Sequence, residues 1–299
     1  MGGLEKRLSS SQIIILGFAF VILWGSLLLM LPASIREGQE VTFADALFTA
    51  TSAVCVTGLV VRDTATCWTG FGQAVILLLI QTGGMGVITV AAAIALVSGK
   101  KISLKQRSTM QEAISAHQMG GIVRLTGFII GTTAFLELLG AVFMAPSFCR
   151  EFGLGKGIWY ALFHSISAFC NAGFDLMGSS SPYSSLTAFA GNRVINYTVM
   201  ALIVAGGIGF LTWEDMKTNR HRIRKYRMQS KVILSATALL IVIPAVYFFF
   251  FELSGYPFKE RVLGSLFQSV TARTAGFNTI DLNGMSETGL AVMILLMLV

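Results

Sequence analysis

Long apolar runs alternate with short polar segments along this chain of 299 residues. The first run, Ile13–Leu31, would form a helix about 28 Å long at 1.5 Å per residue, close to the ~30 Å hydrocarbon core of a bilayer. Similar runs at Gln73–Val97, Ile122–Ala145, Val194–Leu211 and Val232–Phe251 predict further spanning helices. The pattern therefore predicts a helical membrane protein.

Three shorter segments between these runs share one pattern, and they are Phe48–Leu59, Phe163–Phe174 and Phe267–Phe277. Each begins with phenylalanine, is rich in Ser, Thr and Ala, and ends on a small residue followed by glycine and an apolar residue. A helix here is too short to span, so we predict a short helix that enters the membrane and leaves through a glycine turn. The short helices are predicted at Phe43–Ala53, Gly157–Phe169 and Pro257–Ala272.

The three copies divide the chain into modules, each with a spanning helix, a short pore helix, a filter-like turn and a second spanning helix. We predict an all-α membrane fold of tandem modules, three present and the third incomplete. The final run, Glu287–Val299, is too short to cross a bilayer, so we expect the chain to be truncated there. The predicted segments are an N-terminus at 1–12, module 1 at 13–97, a linker at 98–121, module 2 at 122–211, a basic linker at 212–231 and a partial module 3 at 232–299.

Composition and charge agree with a membrane protein. Only 12% of the residues are charged and 54% are hydrophobic, whereas soluble domains carry about 25% charged residues. The net charge is +7, but 14 of the 22 lysines and arginines fall in the N-terminus, near the first linker and in the basic linker. This positive-inside pattern predicts a cytosolic N-terminus and short helices that enter from outside, and it argues against nucleic-acid binding.

The glycine turns carry the candidate chemistry. Backbone carbonyls can replace the water around a cation inside a membrane, and the C-terminal ends of the short helices favour positive charge. A single turn of this composition could equally lie at the surface, but threefold recurrence favours a pore. The candidate ion-binding residues are Val56, Thr57, Gly58, Asn171, Ala172, Gly173, Thr274, Ala275 and Gly276. We find no nucleophile, metal cage or acid–base pair, so we expect neither an enzyme nor a cofactor.

Three charged residues are candidate modulators. Glu137 falls in the middle of a predicted span, where a charge usually marks function, although a polar contact with a neighbouring helix is an equal alternative. Arg273 falls within the third turn, and either a bracing or a gating role is open. Asp175 follows the second turn and could form an acidic outer mouth or cap the turn.

The turn motifs resemble a known family. Ala46–Asp63, Asn171–Phe174 and Thr271–Asn278 resemble the Trk/Ktr/HKT superfamily of potassium transporters, most closely its bacterial Ktr-type membrane subunit. The resemblance covers essentially the whole chain and implies four modules around one permeation path, built like a K⁺ channel folded from a single chain. It implies K⁺ as the transported ion, with Na⁺ coupling open. Gly58 implies a preference for K⁺, because serine at this position is associated with Na⁺ permeation in the plant branch.

The same resemblance implies partners and missing parts. The partners are membrane lipid, a second copy of the chain in a homodimer, and a cytosolic nucleotide-binding regulatory ring of RCK type, in a bacterial plasma membrane. A fourth module and a gating loop would lie beyond Val299. Two other functions stay open: a secondary transporter of a small solute, which predicts inverted halves, and a fragment that does not conduct.

Overall fold

The computed structural model describes residues 9–97, 108–112, 122–179, 181–220, 222–273 and 275–298. Its longer elements are the helices α1 (Ser10–Leu29), α2 (Phe43–Val54), α3 (Thr64–Cys67), α4 (Gly70–Met85), α5 (Val87–Val97), α6 (Ile122–Phe152), α7 (Leu154–Phe169), α8 (Arg193–Gly207), α9 (Phe210–Asn219), α10 (Met228–Tyr247), α11 (Phe258–Thr271) and α12 (Glu287–Met297). Shorter elements are 3₁₀ turns at Pro32–Ser34, Thr187–Phe189, Ile223–Lys225 and Leu282–Gly284, and a π-helical turn at Phe248–Glu252. An isolated antiparallel bridge joins Ile35 to Trp68.

Polar caps determine where the first pore helix begins. The Thr42 side chain accepts from the backbone N–H of Asp45 at 3.2 Å, and the Asp45 carboxylate accepts from the backbone N–H of Thr42 at 3.1 Å. This reciprocal capping box satisfies two N–H groups that a helix start leaves open. Arg62 also pairs with Asp45 at 3.0 Å, and the Thr42 backbone and Arg62 together hold the pKa of this carboxyl below its usual range.

Three of the described helices are long and apolar enough to cross a bilayer, namely Ser10–Leu29, Val123–Phe152 and Met228–Glu252. The second of these corrects the predicted end at Ala145, because α6 continues through Pro146 to Phe152. Proline removes one helical hydrogen bond, but Phe148 in the next turn is fully buried and packs edge-on against Phe189. This packing stabilises the end of α6 that local propensity disfavours.

The two predicted inner spans are interrupted. Gln73–Val97 is divided into α4 and α5 at Gly86, whose φ is +83°. Val194–Leu211 is divided into α8 and α9, which meet at an angle of 92° at Gly209, where φ is +79°. These breaks were not predicted from the sequence, and they form because glycine readily adopts the left-handed backbone that ends a helix.

Glycines also let the inner helices approach the pore helices. A Cβ on Gly83 would overlap the carbonyl of Val54 at the end of α2, and one on Gly206 would overlap the carbonyl of Phe169 at the end of α7. These two glycines therefore allow close packing of the inner helices on the pore helices. In addition, α7 packs against α4 and α11 packs against α8, so each of these pore helices contacts the inner helix of the preceding module.

Candidate ion-binding site

Three turns follow the pore helices at their C-terminal ends. We define turn 1 as Cys55–Leu59 after α2, turn 2 as Cys170–Phe174 after α7, and turn 3 as Ala272–Phe277 after α11. The three pore helices lie where the repeat predicts them, with starts that differ by at most three residues. Because the carbonyl end of a helix carries partial negative charge, each pore helix favours a cation at its turn.

The filter glycines bring the three turns together. A Cβ on Gly58 would lie 2.9 Å from the carbonyl oxygen of Ala172, and one on Gly173 would lie 2.5 Å from that of Ala275. The nearest atom to a Cβ on Gly276 is the Cα of Gly173, at 3.5 Å. All three glycines have positive φ, at +75°, +69° and +79° in chain order. Turn 2 therefore lies between turns 1 and 3, with no room for a side chain at Gly58 or Gly173.

The backbone carbonyls around these glycines are the candidate ion ligands. Within the part of the chain that the structure describes, no residue donates a hydrogen bond to the carbonyls of Val56, Thr57, Gly58, Asn171, Ala172, Gly173, Ala275 and Gly276. Thr274, the remaining candidate, lies outside the described residues. Carbonyls that converge from three turns and accept no bond from the described residues suit a cation ligand.

Two residues in the turns have a backbone conformation unusual for their type. Val56 and Asn171 occupy equivalent positions and have φ of +55° and +56°. With its amide nitrogen turned toward α8, Asn171 donates to the carbonyls of Ile203 and Ala168, each at 3.2 Å. The bond to Ile203 holds turn 2 to α8 close to the break in that span, and the bond to Ala168 holds it to the end of α7.

A cavity lies beside the turns, on the side of the broken inner helices. Its volume is about 310 Å³, and its lining consists of Val56, Gly83, Gly84, Phe169, Cys170, Asn171, Gly206 and Phe210. A second cavity of about 570 Å³ shares Gly83, Gly84 and Phe210 with the first. The second cavity is bordered by Gly86 and Gly209, at which the inner spans are interrupted, and the first by Gly83, Gly84 and Gly206 just before these breaks. The turns thus open onto a space that continues along these spans.

Glu137 lies behind turn 2 and is only 5% exposed. Its carboxylate accepts a hydrogen bond from the Gln81 amide at 3.1 Å and lies 3.9 Å from the Cys170 thiol. Its backbone carbonyl accepts from the Ser165 hydroxyl at 2.6 Å. The predicted polar contact is therefore present, and it joins α6 and α4 to the pore helix and first residue of turn 2.

The loop of residues 181–192 ties the modules together beyond the turns. The backbone N–H of Tyr183 donates to the Asp63 carboxylate of module 1 at 3.0 Å. The Leu186 N–H donates to the Asn278 carbonyl of module 3 at 2.9 Å, and the Asn278 N–H donates to the Ser185 hydroxyl at 3.0 Å. One loop of module 2 thus bonds to Asp63 after turn 1 and to Asn278 after turn 3.

The other two candidate modulators have separate surroundings. Asp175 accepts from the Met177 N–H at 2.9 Å, and burial, with a contribution from nearby Asp63, raises the pKa of this carboxyl to about 6. Arg273 reaches α10, where its guanidinium lies 3.3 Å from the Thr237 hydroxyl. The first arrangement places an acid just past turn 2, and the second fits a bracing role for Arg273.

Our sequence interpretation missed one set of residues at the site. The hydroxyls of Ser52, Ser167 and Thr271 each donate to the carbonyl of the residue that follows the filter glycine. They occupy the same position in the three repeats, four residues after the initial phenylalanine. That shared position was a usable signal, but only the folded turn reveals the acceptor.

Comparison with known proteins relates the whole chain to one family. A family model described as a cation transport protein, TrkH, matches residues 8–299. The potassium/sodium uptake protein NtpJ of Enterococcus hirae is 43% identical over 298 residues, which are 98% of this chain and 65% of that protein. The Ktr system potassium uptake protein B of Bacillus subtilis is 37% identical over 299 residues, with the same two shares. The chain thus spans about 65% of the length of these relatives.

A solved structure shares the fold. The potassium transporter TrkH of Vibrio parahaemolyticus matches with a TM-score of 0.64 and 20% sequence identity, over 97% of this chain and 56% of that one. At this identity the likeness concerns the fold alone. It confirms the predicted all-α membrane fold.

Proposed function

The chain belongs to the TrkH family of cation transport proteins, and we propose that it forms three sides of a K⁺-selective filter in a Ktr-type potassium uptake system. The family is one of transporters, so the prediction that the chain is not an enzyme is confirmed. Family membership and three apolar helices of spanning length make the chain membrane-embedded. The names of two relatives, a potassium/sodium uptake protein and a Ktr system potassium uptake protein, support K⁺ as the transported ion.

The observation that carries this proposal is the convergence of the turns. Their glycines come within contact distance of neighbouring carbonyls, and the carbonyls beside them have no donor among the described residues. An ion that enters must exchange its water for other oxygens, and uncharged carbonyls at helix C-terminal ends supply them without trapping the ion. The nine predicted filter residues, Thr274 included, are the proposed ligand set.

A fourth turn would close the filter. Ala172 in turn 2 and Ala275 in turn 3 are buried, whereas Thr57, at the equivalent position of turn 1, and Gly276 in turn 3 are exposed. The pore helices α7 and α11 each pack on the inner helix of a preceding module, whereas α2 packs on α1 and α4 of its own module. We therefore place a fourth module between turns 3 and 1, as the family resemblance implies.

We further propose a bacterial plasma membrane location with a cytosolic N-terminus. The basic residues between α9 and α10 support this orientation, since Arg222, Arg224 and Lys225 are exposed and basic loops face the cytosol. A homodimer, a nucleotide-binding RCK-type ring on that side and coupling to Na⁺ complete the proposal. These three rest on the family resemblance.

Potassium-uptake-deficient cells that express the full-length protein provide the test. The wild type should restore growth at low K⁺, and Gly58→Ser should reduce the preference for K⁺ over Na⁺ by about tenfold, or ~1.4 kcal/mol. Gly38→Ser is the matched control, because Gly38 has a similar φ of +80° but lies in an exposed linker. Wild-type ⁸⁶Rb⁺ uptake by a variant with leucine at Gly58, Gly173 and Gly276 would refute the filter.

A further inference from the structure

One residue near the end of each pore helix makes at least two bonds to the turn that follows it, and two of these bonds recur in all three turns. These clamp residues are Ser52, Ser167 and Thr271, and their exposed fractions are 3%, 0% and 2%. In turn 1 the Ser52 carbonyl accepts from the backbone N–H of Thr57 at 2.9 Å, and the Ser52 hydroxyl donates to the Leu59 carbonyl at 2.7 Å. Thr57 precedes the filter glycine and Leu59 follows it, so the two bonds lie on either side of Gly58.

The other two turns repeat this geometry. The Ser167 carbonyl accepts from the N–H of the residue before Gly173 at 2.8 Å, and its hydroxyl donates to the carbonyl of the residue after it at 2.7 Å. Thr271 makes the same two bonds around Gly276, at 2.9 and 2.7 Å. Three independent copies with equal hydroxyl distances make a chance arrangement untenable.

Hydroxyls on a helix usually bond within their own helix. Thr49 and Thr51 of α2 do so, since they donate to the carbonyls of Asp45 and Leu47 at 2.8 and 2.7 Å. Ser52, next to Thr51, instead donates to a carbonyl seven residues ahead. The clamp bonds are therefore a property of this position and not of hydroxyls in the pore helix generally.

The two bonds determine which carbonyls of each turn can face an ion. The hydroxyl turns the carbonyl after the glycine back toward the pore helix, which removes it from the set that can face an ion. The bond to the N–H before the glycine fixes the other end of the same short stretch. The carbonyls in between accept no bond from the described residues but are held by bonds on both sides. The hydroxyl donor and the carbonyl acceptor of one clamp residue thus limit how many carbonyls of its turn can face an ion, and in which direction they point.

We propose that Ser52, Ser167 and Thr271 are positioning residues that set the cation selectivity of the filter. This inference rests on the proposed function. Selection between K⁺ and Na⁺ depends on how many carbonyl dipoles surround the ion and how they are held. A turn without its hydroxyl bond gains a loose carbonyl at its outer end and can contract around a smaller ion.

Isosteric variants of the full-length protein test this role by K⁺ and ⁸⁶Rb⁺ uptake in competition with Na⁺. Thr271→Val removes the hydroxyl at nearly constant shape, and Ser52→Ala and Ser167→Ala remove it from the other turns. Each should lower the preference for K⁺ over Na⁺ by about tenfold, with a smaller change in maximal rate. Thr271→Ser and Ser52→Thr keep the donor and should stay within about twofold of the wild type. Thr51→Val is the control for a lost helix hydroxyl and should not change selectivity.

The outcomes separate this inference from the proposed function. Wild-type uptake of K⁺ together with unchanged selectivity in Thr271→Val, Ser52→Ala and Ser167→Ala overturns the clamp and leaves the filter standing. If all three fail to accumulate in the membrane while Thr51→Val accumulates normally, the residues are structural and the inference is also overturned. A wild type that takes up no K⁺ overturns the proposed function, and the clamp with it.

Discussion

Replacing Gly173 by alanine perturbs the closest contact between two filter turns. The added Cβ would lie 2.5 Å from the Ala275 carbonyl oxygen and 3.2 Å from the Cα of Gly276. These neighbours are backbone atoms of turn 3, so they cannot move aside as a flexible side chain can. Alanine should therefore push turn 3 away from turn 2 and shift the Ala275 carbonyl, one of the proposed ion ligands.

The cost of this change has two parts. The φ of Gly173 is +69°, and any residue with a Cβ in this left-handed conformation lowers the stability of the fold by about 1–2 kcal/mol. Overpacking against rigid neighbours adds typically about 1–3 kcal/mol. Gly38 separates the two parts, because its φ is +80° and nothing lies within 4 Å of a Cβ there. Gly38→Ala should show only the first part.

The assay compares the two variants in the full-length protein. Thermal unfolding in detergent should give a lower midpoint temperature for Gly173→Ala than for Gly38→Ala. The free energy of unfolding should differ between the two variants by about 1–3 kcal/mol, which is the overpacking part alone. Uptake of ⁸⁶Rb⁺ should be largely lost in Gly173→Ala and nearly unchanged in Gly38→Ala, since only the first displaces a filter carbonyl. Equal midpoints and equal uptake for the two variants would show that turns 2 and 3 do not touch as the structure has them.

Three further changes test other contacts. Gly206→Ala should lower the thermal midpoint, because its Cβ would overlap a carbonyl of α7. Nothing lies within 4 Å of a Cβ added at Gly127, so an equal effect of Gly127→Ala would contradict this packing. Glu137→Leu should destabilise the protein by about 1–3 kcal/mol more than Glu137→Gln, which keeps a hydrogen-bonding amide beside Gln81; similar unfolding midpoints would count against the buried network. Because burial raises the pKa of Asp175 to about 6, its carboxyl is mostly neutral at about pH 5 and mostly charged at about pH 7. The KM for external K⁺ should therefore fall as pH rises across this range, and uptake by Asp175→Asn should lose the dependence; a variant that keeps it would exclude Asp175 as its source.

The repeated elements could be predicted because their signals are local. The pore helix predicted at Phe43–Ala53 is found at Phe43–Val54, and the one predicted at Pro257–Ala272 is found at Phe258–Thr271. Capping residues, apolar periodicity and glycine turns act within a few residues, so they can be identified along the chain. The positive φ of Gly58 likewise follows from its place after a pore helix.

The missed features depend on segments that are distant in sequence. Proline at position 146 indicates a helix end, yet the burial of Phe148 under a later loop lets α6 continue. The place of Glu137 in a predicted span indicates a buried carboxyl, but the sequence could not identify its partner Gln81, which is 56 residues away. The breaks in the inner spans required knowing which glycines face a neighbouring backbone and which end a helix.

By itself the sequence determined that this chain crosses a membrane, repeats one pore unit and places a glycine turn at the end of each short helix. Only the tertiary structure decided that the three turns meet, which carbonyls stay unpaired and which hydroxyls hold the turns. The reason is physical: helix formation and glycine turns depend on neighbouring residues, whereas an ion site depends on distances of about 3 Å between atoms from separate modules. Those distances exist only once α4 and α8 have packed against the pore helices.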